Sequence, residues 1–273
     1  ARGGRVMTVR SKHRGRVFVS PALCNPSATR LFCFPHAGGA ASFFFDLARK
    51  LAPGIECACV QLPGRGARLG EDPHFSIADI ANEVTNALAA EILDKPFAFY
   101  GHSFGGVVAF EVIKQLRRDG MPLPEHLFVG AAPPPRNQTH EAPLHNLPDP
   151  EFIQGVQTRY AGIPSAVLAE PDILRLLLPA VRADLTAFET YLYRPEDALT
   201  CPITAFVGVD DPVAGVERSA GWRPHTSNRF ETVVLPGDHF FLRLGSDRLA
   251  RCLRERLVPS VDAEAGQAQR TSA

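Results

Sequence analysis

The run Phe99-Tyr100-Gly101-His102-Ser103-Phe104-Gly105-Gly106 decides how this chain is read. Gly101-His102-Ser103-Phe104-Gly105 fits Gly-x-Ser-x-Gly, the pattern of a nucleophile elbow. In such an elbow a sharp strand-to-helix turn strains the serine backbone and projects its Oγ beyond the sheet. Glycines flank the serine because side chains there would collide with the neighbouring strand and helix. The pattern alone arises by chance in roughly one chain in ten of this size and glycine content, so its flanks carry the weight. Before it, Pro96-Phe97-Ala98-Phe99-Tyr100 is apolar and aromatic, as a buried strand is. After it, Val108, Val112, Ile113 and Leu116 recur at helical spacing. Lys114, Arg117 and Arg118 gather where the helix dipole favours cations, and Gly120 supplies a stop. Strand, elbow and helix follow in the required order and predict that Ser103 attacks a carbonyl.

Outward from the elbow, strand-like and helix-like runs alternate. Strands are predicted at 17–19, 30–34, 56–61, 97–100, 127–131, 203–207 and 231–235, and helices near 41–51, 76–93, 104–118 and 245–257. Such alternation implies right-handed crossovers and a mostly parallel sheet with helices on both faces, an α/β fold. One segment breaks the rhythm. After Pro133-Pro134-Pro135, residues 136–200 hold no convincing strand, while 149–158 and 171–191 read as helical. In the second of these, Ile173, Leu176, Leu177, Val181, Leu185 and Phe188 recur at helical spacing. That apolar content exceeds what one face of a sheet needs, so a helical lid is predicted over about 136–200. The domain is expected to span 17–261. A disordered basic leader at 1–16, with Met7 as a candidate natural start, is expected before it and a small, polar, disordered tail at 262–273 after it.

With 273 residues, 45% hydrophobic and 21% charged, the composition is that of one large globular domain. Zero formal net charge gives no nucleic-acid footprint. No apolar run reaches the roughly 18 residues of a membrane span, and there is no signal-peptide apolar region, so a cytoplasmic location is expected. Of the six cysteines, Cys33, Cys57, Cys59 and Cys201 lie in or beside apolar runs and read as small buried hydrophobes. No Cys-x-x-Cys or Cys/His metal spacing occurs, and no metal or cofactor is implied.

A serine needs a base, and the base needs a partner that fixes its tautomer. In α/β-hydrolases these follow in the order serine, acid, histidine. The acid candidate is Asp211, in Phe206-Val207-Gly208-Val209-Asp210-Asp211-Pro212-Val213, where an apolar strand runs into a loop. Its neighbour Asp210 competes, but spacing from the glycine favours Asp211. The base candidate is His239, in Leu235-Pro236-Gly237-Asp238-His239-Phe240-Phe241, again after an apolar strand. His102 is expected to pack beneath the turn and His225 to be exposed. The oxyanion donors expected are the backbone N–H of Phe104 and, in the glycine-rich loop Phe34-Pro35-His36-Ala37-Gly38-Gly39, that of Ala37.

These stretches together resemble the type II thioesterases of polyketide and nonribosomal peptide synthesis, an α/β-hydrolase family. Leu31-Phe32-Cys33-Phe34-Pro35-His36-Ala37-Gly38-Gly39 is similar to that family's opening strand and oxyanion loop, and Gln61-Leu62-Pro63-Gly64-Arg65-Gly66-Ala67-Arg68-Leu69 to its Pro-Gly-Arg loop. Leu178-Pro179-Ala180-Val181-Arg182-Ala183-Asp184 through Glu189-Thr190-Tyr191 resembles its lid helix, and Gly237-Asp238-His239-Phe240-Phe241 its histidine loop. The resemblance covers about 30–245. It implies a monomeric editing hydrolase that removes aberrant acyl groups from the phosphopantetheine arm of an acyl or peptidyl carrier protein. The residues themselves leave open a general oxoesterase or lipase, a detached chain-releasing thioesterase, or a non-catalytic binding protein on the same fold. Arg65 and Arg68 read as surface loop arginines, with an acidic carrier protein as the alternative contact.

Overall fold

The computed structural model of the chain describes residues 16–25, 28–89, 91, 95–135 and 142–258. Its strands are β1 (Phe18–Val19), β2 (Thr29–Phe34), β3 (Ile55–Val60), β4 (Phe97–His102), β5 (Leu127–Gly130), β6 (Ile203–Gly208) and β7 (Phe230–Leu235). Its helices are α1 (Phe45–Leu51), α2 (Ile77–Leu88), α3 (Phe104–Arg118), α4 (Asp149–Tyr160), α5 (Ser165–Leu168), α6 (Pro171–Glu189), α7 (Val216–Ser219) and α8 (Leu242–Leu257). The strands form one sheet in the order β1-β3-β2-β4-β5-β6-β7. Short β1 pairs antiparallel with β3, and every other pairing is parallel.

The two-residue period of a strand sorts the core into two layers. Phe32, Phe34, Phe97 and Phe99 point to the face covered by α2 and α3, where Val84, Val108 and Val112 meet them. Leu31, Cys33, Ala98 and Tyr100 point to the other, against Leu47 and Leu51 of α1 and Leu249 and Leu253 of α8. Strands apolar on both faces must be covered on both, which is why the sheet is parallel and helix-clad. Cys33, Cys57, Cys59 and Cys201 are buried within these layers as free thiols.

Several boundaries move. The helix expected over 76–93 is α2, ending at Leu88; its Ser76 accepts from the Asp79 N–H as N-cap, and residues 92–94 lie outside the described ones. The last helix starts at Leu242 rather than 245, bending at Gly245. Between β5 and β6 the described residues fold into α4, α5 and α6 with no strand, and these helices bury Phe152, Val156, Ile163, Leu178 and Leu185 in a third apolar cluster. The expected leader and tail, and residues 136–141, lie outside the described residues.

Arg68 is a correction to the surface reading. It is 2% exposed. A guanidinium confined there needs acceptors, and it donates to the carboxylates of Glu71 and Glu83 and to the Gln61 carbonyl. Burial alone would raise the Glu83 carboxyl, but hydrogen bonds from His74 and Arg68, with the Arg68 charge, hold it down at about 2. The folded value lies below the ordinary 4.5. The stabilisation is therefore complete above that ordinary value and is lost progressively as pH falls from it through the folded value of about 2. The unfolding free energy that separates the unsubstituted protein from Glu83→Gln, measured in urea, should shrink from about pH 6 to about pH 3. A difference that stays constant across that window would refute the assignment.

Candidate active site

The carboxyl ends of neighbouring parallel strands carry the candidate residues, where sites form in open α/β sheets. β4 ends at His102 and the chain turns at Ser103, whose φ of 54° and ψ of −120° lie in a region rarely occupied outside glycine. Two contacts pin this strained residue. The Ser103 N–H donates to the Gly130 carbonyl at 2.7 Å, and the Gly106 N–H donates to the Ser103 carbonyl at 2.9 Å. β6 and β7 run in register to Gly208 and Leu235, so the loops carrying Asp211 and His239 emerge side by side. The Asp210 N–H donates to the Gly237 carbonyl at 3.0 Å and ties those loops together.

Ser103 Oγ lies 3.0 Å from His239 Nε2. His239 Nδ1 lies 3.2 and 3.1 Å from the two carboxylate oxygens of Asp211. A carboxylate only accepts, so Nδ1 carries the hydrogen and Nε2 is left to accept from the serine hydroxyl. Asp211 is buried, which by itself raises its carboxyl. The His239 hydrogen bond and charge, together with the Val213 and Ala214 N–H donors, outweigh that and hold it below the ordinary carboxylate value. Asp210, the competitor, is exposed, and it is the Asp211 carboxylate that meets the histidine.

Ala37 and Phe104, the two residues expected to supply oxyanion donors, line the same cavity as Ser103. Phe104 opens α3, and Ala37 follows β2 in the loop over the serine. Among the described residues neither N–H has a hydrogen-bond acceptor. Ala37, Ser103, Phe104 and His239 all border a cavity of about 390 Å³. Its roof is apolar, made by Ile163 and by Leu178, Val181, Leu185 and Phe188 of α6. The arrangement can take a proton from a hydroxyl, donate two hydrogen bonds to a developing oxyanion, and seat a modest apolar group.

His102 packs beneath the turn, fully buried, as expected. It also supports the histidine loop: its Nε2 lies 2.8 Å from the His239 carbonyl and its Nδ1 accepts from the Tyr100 hydroxyl at 3.3 Å. Burial pushes His102 well down, so the ring is neutral with its hydrogen on Nε2. That supporting bond had no signal in the motif. His225, expected exposed, is buried instead, its ring packed on Phe110, Tyr193 and Trp222, because the turn at Ala220–His225 folds back onto α3. Arg65, expected on the surface, is 1% exposed and paired with Asp184 of α6. Among the described residues no group of three or more His, Cys, Asp or Glu could hold a metal ion, and no helix is long and apolar enough to cross a membrane.

A family model described as a thioesterase domain matches residues 29–257, from the first residue of β2 to the last of α8. The chain belongs to the thioesterase domain family. This thioesterase is 36% identical over 225 residues to the gramicidin S biosynthesis protein GrsT of Aneurinibacillus migulanus, covering 82% of the chain and 87% of the relative. It is 40% identical over 216 residues to thioesterase PikA5 of Streptomyces venezuelae, covering 79% and 76%. Among solved structures it is similar to the type II thioesterase BorB from the borrelidin biosynthetic cluster. The TM-score is 0.78 at 34% identity, over 90% of this chain and 98% of that one. The thioesterase has the α/β-hydrolase fold.

Proposed function

We propose that this thioesterase hydrolyses acyl thioesters carried on the phosphopantetheine arm of acyl or peptidyl carrier proteins, editing a polyketide or nonribosomal peptide synthase. The observation that carries the reading is the relay from Ser103 Oγ through His239 to Asp211 beside an apolar cavity. The names of its relatives, a gramicidin S biosynthesis protein and a type II thioesterase of the borrelidin cluster, support the class of substrate.

In this reading Ser103 Oγ attacks the thioester carbonyl while His239 Nε2 takes its proton. Asp211 holds the imidazolium that forms. The carbonyl oxygen, now anionic, receives the Ala37 and Phe104 N–H groups. Collapse breaks the carbon–sulfur bond, and His239 returns the proton to the departing pantetheine thiolate. Water then attacks the acyl-serine with the same histidine as base, releasing a carboxylic acid and restoring Ser103. Asp211 and Asp210 should separate here, since only the former touches the base. Helices α4–α6 serve as the lid, and a cavity of this size suits short acyl chains. The protein acts as a monomer in the cytoplasm with a carrier protein as its partner.

Rates on a short acyl group presented as carrier-protein thioester, as free pantetheine thioester and as nitrophenyl ester test this reading. Carrier attachment is expected to raise kcat/KM, and thioesters to be preferred. Preference for the nitrophenyl ester with no gain from the carrier would sink the editing role.

A further inference from the structure

Behind the Ala37 N–H lies an ion pair that no step of the chemistry uses. The Arg65 and Asp184 side chains are each 1% exposed. Arg65 Nη2 donates to Asp184 Oδ1 at 2.9 Å, Nη1 donates to Oδ2, and Nε donates to the Pro63 carbonyl at 3.2 Å. Two charges so deeply buried carry a desolvation cost that attraction offsets only with good geometry and further hydrogen bonds. One such bond leads to the oxyanion loop, where the Gly38 N–H donates to Asp184 Oδ2 at 2.7 Å.

That bond falls on the central peptide of a tight turn. The Gly39 N–H donates to the His36 carbonyl at 2.8 Å, closing a four-residue turn over His36–Gly39. Gly38, its third residue, has φ of +73°, the mark of a type II turn. Rotation of the central peptide, between Ala37 and Gly38, interconverts types II and I. Here both ends of that peptide are held. Asp184 takes its N–H, and His36 Nδ1 lies 3.0 Å from its carbonyl and donates to it. The outer peptide, whose carbonyl is held by Gly39, carries the Ala37 N–H at its other end. Helix α6 packs directly on the turn: a Cβ at Gly38 would fall 2.5 Å from Val181 Cγ2. Leu178, Val181 and Leu185 of the same helix face the cavity.

We propose that Asp184, oriented by Arg65, is a positioning residue that locks the His36–Gly39 turn with the Ala37 N–H aimed at the oxyanion and couples α6 to that donor. The proposal rests on the reading of Ala37 as an oxyanion donor. It makes the roof and the oxyanion site one mechanical unit, so an acyl chain pressing on α6 acts on the donor through Asp184.

The test is Asp184→Asn, with Arg65→Lys as a second variant that keeps a cation beside the carboxylate but loses the planar fork. Removing the charge of Asp184 leaves Arg65 unpaired, so stability will fall; kcat is therefore expressed per serine titrated with a fluorophosphonate. In Asp184→Asn kcat should drop about 10- to 100-fold with KM within about threefold, and in Arg65→Lys by a smaller factor. Affinity for a trifluoromethyl ketone, which forms an oxyanion on the serine, should fall in step with kcat. A purely structural role would lower the titratable fraction and leave both quantities unchanged. A kcat per titrated serine and a ketone affinity within about twofold of the unsubstituted protein, in whichever variant folds, overturn the proposal. All comparisons are run on a pantetheine thioester and on nitrophenyl acetate. Absence of thioester hydrolysis in the unsubstituted protein would overturn the thioesterase reading alone, with the Asp184 comparison still read on the nitrophenyl ester.

Discussion

Ser103→Ala is expected to lower kcat/KM on a pantetheine thioester by about 10³-fold or more while leaving the melting temperature unchanged or raised. The reason is geometric. His239 Nε2 accepts from Ser103 Oγ at 3.0 Å, so alanine removes both the nucleophile and the hydroxyl it activates. The same substitution leaves the residue at φ 54°, where the backbone strain falls equally on any residue with a Cβ, so the fold loses little. Asp211→Asn should cost up to about 10⁴-fold, because an amide donor facing Nδ1 favours the wrong tautomer. Asp210→Asn should leave kcat near that of the unsubstituted protein, since its side chain is exposed beyond the relay. Initial rates on purified variants, with melting curves as the control, check the set. Hydrolysis retained in Ser103→Ala would remove the serine mechanism altogether.

Gly105→Ala should cost about 3 kcal/mol of stability or more, at or beyond the upper end of ordinary overpacking. A Cβ there would lie 2.2 Å from the Phe34 carbonyl oxygen and 2.5 Å from that of Pro35. Both obstacles are backbone, so no side chain can swing aside; α3 must move away from the end of β2. That motion would carry Phe104 away from Ala37, so activity should fall along with stability. Gly54→Ala, where nothing lies within 4 Å of the added Cβ, is the matched control and should change stability little. Denaturant midpoints for both variants measure the difference. Equal midpoints would show that the elbow glycine is not held by the close approach of helix to strand.

Much of the fold was legible because its signals are local. Phe97 to Tyr100 is apolar on both faces of a strand, as strands of a helix-covered parallel sheet are. The elbow glycines are demanded by backbone approach within a few residues of the turn. Asp211 and His239 were legible as candidates because each follows an apolar strand in the order serine, acid, histidine, and spacing from Gly208 favours Asp211 over Asp210. The residues misread were polar ones whose surroundings come from distant segments. His225 looked like part of a polar surface stretch, yet Phe110 and Tyr193 close over it. Arg65 and Arg68 looked like solvated loop charges, because Asp184 and Glu83 lie far along the chain and nothing about nearby Glu71 announces that its pair with Arg68 is buried.

Sequence by itself determined the alternation of strands and helices, the serine turn, and the candidates for its acid and base, since period, glycine placement and chain order are properties of short segments. Tertiary structure alone decided that Arg65 and Asp184, 119 residues apart, meet in the interior and that their free acceptor is spent on Gly38. The physical reason is that burying a charge demands a partner, while which partner arrives depends on where α6 is laid across the His36–Gly39 turn. No periodicity along the chain encodes that placement; the packing of Val181 on a glycine without a Cβ does.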